Sequence, residues 1–150
     1  MRLIIQRVSS ASVEIENNQV ASIQQGLLIL QGVEEADTEE DADWLAQKVS
    51  SMRIFSNEDD KMNLDIKEVG GDIIVVSQFT LHAQTKKGNR PSFIKAARPE
   101  QAIPLYDYFI AQLEMLLGKS IQTGDFGAMM QVKLVNDGPV TIFMDSKSRE

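Results

Sequence analysis

The 150-residue chain has no cysteine and one histidine, His82. Without thiols it can form no disulfide, no thiolate nucleophile and no cysteine zinc site. One histidine cannot build a histidine-rich metal centre, and the carboxylates fall in no metal-ligand spacing. No metal and no cofactor is therefore expected. No apolar run approaches the ~18–20 residues that span a bilayer. The start, Met1 to Arg7, is too short in apolar length for a secretory signal. The expectation is a cytoplasmic protein with no membrane partner. Internal repeats and low-complexity linkers are also absent. The length suits one domain, residues 1–150, which buries about two-thirds of its unfolded surface and needs no covalent staple.

Positive charge is scarce as well. The net charge is −7, which argues against a general nucleic-acid binder and against DNA as a partner. The exception is the stretch from Gln84 to Arg98, with five basic residues (Lys86, Lys87, Arg90, Lys95 and Arg98) and no acidic one. It reads either as a solvated basic loop or as a small phosphate-contacting patch on a repelling body. The second arrangement would accept one end of an RNA and reject the rest.

The apolar pattern predicts alternating strand groups and helices. Leu3 to Val8, then Ala11, Val13 and Ile15, read as strands, followed by a turn at Asn17-Asn18. Val20 to Ile23 and Leu27 to Leu30 read as further strands. Thr38 with Asp41 caps a helix whose buried face is Ala42, Leu45, Val49 and Met52. Ile66 to Val69, Gly70-Gly71 and Asp72 to Val76 read as a hairpin. A second helix starts at Pro99, buries Ala102, Leu105, Tyr106, Phe109 and Leu113, and stops at Gly118. Strands return at Ile121–Thr123, Val132–Val135 and Val140–Met144. The polar tail, residues 145–150, is expected to fray. The fold class is mixed α/β or α+β: one domain of layered, barrel-like β-sheet with two helices packed on one side.

Two short segments sit at strand ends, where polar groups and free backbone can meet a ligand. Ser77-Gln78-Phe79-Thr80-Leu81 closes the apolar run Ile73 to Val76. If that strand continued, Gln78, Thr80 and His82 would share one face, and His82 would be the nearest base for a Thr80 nucleophile. The ordinary reading is a buried strand finished by hydroxyl residues. Asn136-Asp137-Gly138-Pro139 opens the β-branched run Val140 to Ile142 and reads alone as turn chemistry followed by a strand-initiating proline. The acidic cluster from Glu34 to Asp43 reads as a helix N-terminus, and Met129-Met130 as core or as pocket lining.

Taken in order and separation, the two segments resemble the signature motifs of the D-aminoacyl-tRNA deacylase family. The likeness extends through Gln6-Arg7-Val8, Ala11-Ser12-Val13, Arg53 to Ser56, Lys61 to Leu64, Arg90 to Phe93, Leu105 to Asp107 and Met130 to Val132. The resemblance implies hydrolysis of the ester of D-aminoacyl-tRNA, and of glycine mischarged on tRNA-Ala, with L-aminoacyl-tRNA rejected. It implies a homodimer with active sites at the interface and the aminoacylated tRNA 3′ end as partner. Ser77, Gln78, Phe79 and Thr80 would form the catalytic wall, with the Phe79 and Thr80 N–H groups as oxyanion donors. Gly138 and Pro139, in a cis linkage, would form the chiral gate, with Arg7 holding it. Lys86, Lys87, Arg90, Phe126 and Met129 would contact tRNA. The alternatives are a non-catalytic protein that binds an RNA end or a nucleotide, an oligomeric interaction protein without a ligand, and a deacylase that clears glycine or L-alanine.

Overall fold

The computed structural model describes residues 1–150. Its organising element is β1, Arg2–Ile15, one long strand where the sequence suggests two. Leu3 and Ile5 face the larger core, whereas Val8, Ala11 and Val13 face the smaller one. The switch in parity between Val8 and Ala11 coincides with register shifts against the last strand. A one-residue slip turns every following side chain to the other face, so a single strand serves both cores.

One edge of β1 pairs antiparallel with β3 (Gly26–Gly32) over its first half and with β2 (Asn18–Ile23) over its second. The other edge pairs throughout with β8, Gln131–Asp145. β3 pairs in parallel with β6 (Asp72–Ser77), and β6 with the short β7 (Gln122–Thr123). The Gln122 side chain then closes the sheet towards β2. Its Oε1 accepts the Ser22 N–H at 2.7 Å, and its Nε2 donates to the Ser22 carbonyl at 2.8 Å. One carboxamide thus copies the donor and acceptor of a strand rung, and the sheet becomes nearly a closed barrel. A separate two-stranded ribbon joins β4 (Phe55–Ser56) to β5 (Met62–Leu64).

The helices α1 (Glu39–Ser51) and α2 (Pro99–Leu117) cover one side of the sheet. At α1 the Asp41 carboxylate accepts the Thr38 N–H at 2.9 Å and the Thr38 hydroxyl at 3.2 Å, joining the capping pair the sequence predicts. Proline occupies the first position of α2, and Gly118 ends it in the left-handed region at φ 67°. No helix is long and apolar enough to cross a membrane.

Two expectations are corrected. The hairpin over Ile66–Val76 does not form. Asp65 caps a tight turn instead, its Oδ1 accepting the N–H groups of Lys67 and Glu68, and β6 runs parallel to β3. The tail is also anchored rather than frayed in its first residues. Ser146 is buried, with its Oγ on the Met1 ammonium at 2.8 Å; Lys147 Nζ meets Asp41 Oδ2 at 2.7 Å; and Arg149 lies 4.7 Å from the Trp44 ring centre.

Candidate active site

The parallel ladder of β3 and β6 ends with Gln31 opposite Ser77, and the Gln78 N–H makes the last rung to the Gln31 carbonyl at 2.7 Å. The chain then leaves the strand and makes one 3-10 turn, Phe79–His82. Gly32 allows this. A Cβ there would lie 2.9 Å from the Gln78 carbonyl oxygen and 3.0 Å from the Leu81 Cβ, so the turn can seat on β3 only because the side chain is missing. The turn's hydrogen bonds start with Leu81 N–H to Gln78 O at 3.3 Å. The N–H groups of Phe79 and Thr80 precede that first bond and are left free by the turn. Arg2 holds the far end, with Nη1 on the Leu81 carbonyl at 2.9 Å and Nε on Asp145 at 2.8 Å. Burial alone would raise the Asp145 carboxyl, but the Arg2 contact and a backbone bond from Lys147 together outweigh it and hold the group below the usual carboxylate range.

The turn overrides the strand alternation read from sequence. His82 is carried away from Thr80 into the interior, where its Nδ1 lies 3.9 Å from Glu34. The partner of the Thr80 hydroxyl is the Gln78 amide, whose Nε2 donates to it. A donor cannot take a proton, so Thr80 has no base in this arrangement.

Ser77, Gln78 and Phe79 form one wall of a cleft of about 500 Å³. Phe126 to Met130, the opening of β8 at Val132, and Ala97, Ala102 and Tyr106 form the others, with Gln31 and Val33 between. The structure thus brings the predicted Ser77, Gln78 and Phe79 together with the predicted Phe126 and Met129. Thr80 is outside the lining. Tyr106 packs edge-on against Phe126, and its hydroxyl donates to the Val75 carbonyl at 2.9 Å. Burial, reinforced by Asp107 and Asp125, pushes the Tyr106 phenol above its ordinary range, so it stays protonated. Phe79 is 55 % exposed and Met129 86 % exposed, both large apolar groups at a cleft wall.

Lys86, Lys87 and Arg90 do not line the cleft. They project from the loop that follows the turn, exposed, and the antiparallel pair Gln84–Ser92 closes that loop at its base. Phe93 links loop and cleft by meeting the Phe79 ring edge-on at 5.1 Å.

Gly138 and Pro139 also lie outside this cleft. They occupy a bulge in β8: Thr141 pairs with Gln6 and Asn136 with Val8, so residues 137–140 face Arg7 alone. The Gly138–Pro139 peptide is cis, and Gly138 has φ 125°, where a side chain would be strained. A Cβ there would also lie 2.9 Å from Arg7 Nη2. Arg7 is buried; its Nε donates to the Asp137 carbonyl at 3.1 Å and its Nη1 to the Ile54 carbonyl at 2.7 Å. Within the bulge, Asn136 Oδ1 accepts the Val140 N–H and Asn136 Nδ2 donates to Thr141.

Sequence reasoning misses Gln31, Val33, Ala97, Ala102 and Tyr106 as lining residues. Tyr106 reads as an ordinary member of a helix stripe. Gln31 carries the one available signal, an amide directly after the apolar run Leu27–Leu30. No grouping of histidine, aspartate and glutamate in the fold is arranged to hold a metal ion.

Residues 4–145 match the family model described as D-Tyr-tRNA(Tyr) deacylase. The chain is 65 % identical, over the whole of both sequences, to a D-aminoacyl-tRNA deacylase of Flavobacterium johnsoniae, and 63 % identical on the same terms to one of Akkermansia muciniphila. Among solved structures it resembles a c-Myc DNA unwinding element binding protein, with a TM-score of 0.90, 36 % identity, and coverage of 97 % of this chain and 98 % of the other. It shares its fold with a probable eukaryotic D-amino acid tRNA deacylase at a TM-score of 0.82 and 16 % identity, covering 95 % and 97 %. With both signature segments inside the matched span and full-length relatives at this identity, the chain belongs to the D-Tyr-tRNA(Tyr) deacylase family.

Proposed function

We propose that the chain hydrolyses the ester of D-aminoacyl-tRNA, releasing the free D-amino acid and tRNA, and that it rejects the L-ester by steric exclusion. Glycine, having no side chain to exclude, passes the same gate, so glycyl-tRNA mischarged on tRNA-Ala is a further substrate. The observation that carries the reading is the separation of the two signature segments. The Ser77–Phe79 wall lines an open cleft, while the Gly138-Pro139 bulge of the same chain lies outside it. A second copy that inserted its bulge would complete the site. In support, β8 pairs only with β1, which leaves its other edge free, and Val135 and Phe143 are exposed along it. An uncovered edge of this length invites pairing with another chain.

In this reading the protein contributes position and electrostatics. Water adds to the ester carbonyl, the developing oxyanion takes the free N–H groups of Phe79 and Thr80, and the ribose oxygen leaves with a proton. The neighbouring ribose hydroxyl supplies the proton relay, so no side-chain base is needed. The Gly138 and Pro139 carbonyl oxygens stand where an L side chain would project, and a D side chain points to solvent. Exclusion of this kind is broad over D-amino acids. Phe126 and Met129 flank the terminal adenosine, and Lys86, Lys87 and Arg90 meet acceptor-stem phosphates.

The deciding measurement compares D-Tyr-tRNA with L-Tyr-tRNA: rapid loss of the first and persistence of the second is expected, and equal or absent hydrolysis ends the reading. Esters of D-Ala, L-Ala and Gly on one tRNA separate this enzyme from one that clears L-alanine. Light scattering should give twice the chain mass. Thr80→Ala should keep activity within about tenfold, because general acid–base groups contribute some 10²–10⁴-fold and Thr80 lacks a base. A 2′-deoxy terminal adenosine should stall the reaction.

A second reading is a non-catalytic nucleic-acid binder, favoured by the exposed loop carrying Lys86, Lys87 and Arg90. It predicts salt-sensitive binding of uncharged tRNA without ester cleavage.

A further inference from the structure

We propose that Gln31 reads the terminal base: its carboxamide hydrogen-bonds the edge of the adenine held in the cleft and sets specificity for that nucleoside. The proposal rests on the deacylase reading and deepens it.

Gln31 is 2 % exposed, at the end of β3 opposite Ser77, and it borders the cleft. Its Nε2 reaches only the Met1 thioether sulfur, at 3.0 Å, and its Oε1 has no partner at all. Inverting the amide would set oxygen against sulfur and orphan the nitrogen, so either orientation leaves one end unpaired. A buried polar group without a partner leaves its lost hydration uncompensated, and leucine would fill similar space without that loss. Leu27 and Ile29, on the same face of β3, are apolar. The amide is therefore a liability to folding that a ligand would remove.

Two other polar side chains along the cleft are already engaged. Gln78 donates its amide to Thr80, and the Tyr106 hydroxyl donates to Val75. Phe79, Phe126 and Met129 give the apolar faces on which a base stacks. A carboxamide offers a donor and an acceptor side by side, matching adenine's exocyclic amine and the ring nitrogen beside it. The Gln31 oxygen is shut off from solvent as it stands. A thioether is a weak acceptor, and the terminal torsion of glutamine is broad, so little holds the amide back from turning into the cleft when a base arrives.

The test uses a short tRNA acceptor helix carrying a D-tyrosyl ester on a terminal adenosine, or on a terminal purine riboside that lacks the 6-amino group. Wild type should lose about tenfold in kcat/KM on the second substrate, through KM. Gln31→Leu should lose the same factor on adenosine, lose nothing further on purine riboside, and keep or raise Tm. An unchanged KM in Gln31→Leu, indifference of wild type to the amine, or a drop in Tm with KM intact would each overturn the proposal. The last outcome would make Gln31 merely a support for Met1. A readout independent of catalysis is the Gln31 side-chain amide resonance during titration with adenosine 5′-monophosphate. A shift without ester cleavage retires the deacylase reading and leaves base reading standing. Cleavage without a shift does the reverse.

Discussion

The two signature segments are built in opposite ways. The Ser77–Thr80 segment is an extension of the main sheet, fixed by a backbone rung to Gln31 and by the empty space above Gly32. The Asp137–Val140 bulge has left its ladder and is fixed by side chains, chiefly Arg7 and Asn136. A segment held by backbone tolerates most side-chain exchanges but fails when a backbone seat is filled. A segment held by one guanidinium can be released by one exchange elsewhere in the chain.

The harshest test of this contrast fills the seat. Gly32→Val should displace the turn and lower kcat on D-Tyr-tRNA by about 10²–10³-fold, the usual loss when an oxyanion donor is misplaced. Single-turnover rates on folded protein check it, and near-normal rates would show that the turn does not depend on Gly32. Next comes Arg7→Lys. A single ammonium cannot reproduce a fork that spans the Ile54 and Asp137 carbonyls, and leaving a buried carbonyl unpaired costs about 1–3 kcal/mol. We expect a lower Tm and a reduced ratio of D- to L-ester hydrolysis, with the D-rate itself less affected. An unchanged ratio would show that the bulge holds its shape without Arg7.

The smallest effect should come from a site remote from both segments. Burial alone would raise the Asp41 carboxyl, but its bonds from Lys147, Thr38 and Ser146 outweigh that and hold it at about 2. A depressed folded value means stability that is present above the unfolded value near 3.8 and is lost as pH falls towards 2. Since Lys147 is partly exposed, the contribution is discounted to about 1–2 kcal/mol. Asp41→Asn should lower stability at pH 7 by that amount, flatten the acid limb between pH 4 and 2, and leave D/L selectivity untouched. Denaturant titrations at several pH values measure it.

What the sequence discloses follows the range of the interactions. Both helices are legible because their limits are local: Thr38 with Asp41, Pro99 at the first position, Gly118 at the last. The strands of the first third are legible from alternation. The Gly70-Gly71 pair misleads because it is a hairpin signal in isolation, whereas β6 pairs with β3, 46 positions earlier in the chain. The path after Ser77 is illegible for a similar reason, since the 3-10 turn depends on Gly32, and with it goes the expected His82–Thr80 pairing. The wall residues Phe126 and Met129 come from family likeness. Gln31 shows in the sequence only as an amide after an apolar run, and its unpaired oxygen emerges with the fold.

The seam at Gln122 has its own kinetic meaning. The amide proton of Ser22 is secured by a rotatable group rather than by a neighbouring strand, so it is freed by a flip about one side-chain bond. Its lifetime against solvent therefore times that flip and not the melting of β2, which makes Ser22 a natural clock for how often the barrel gapes.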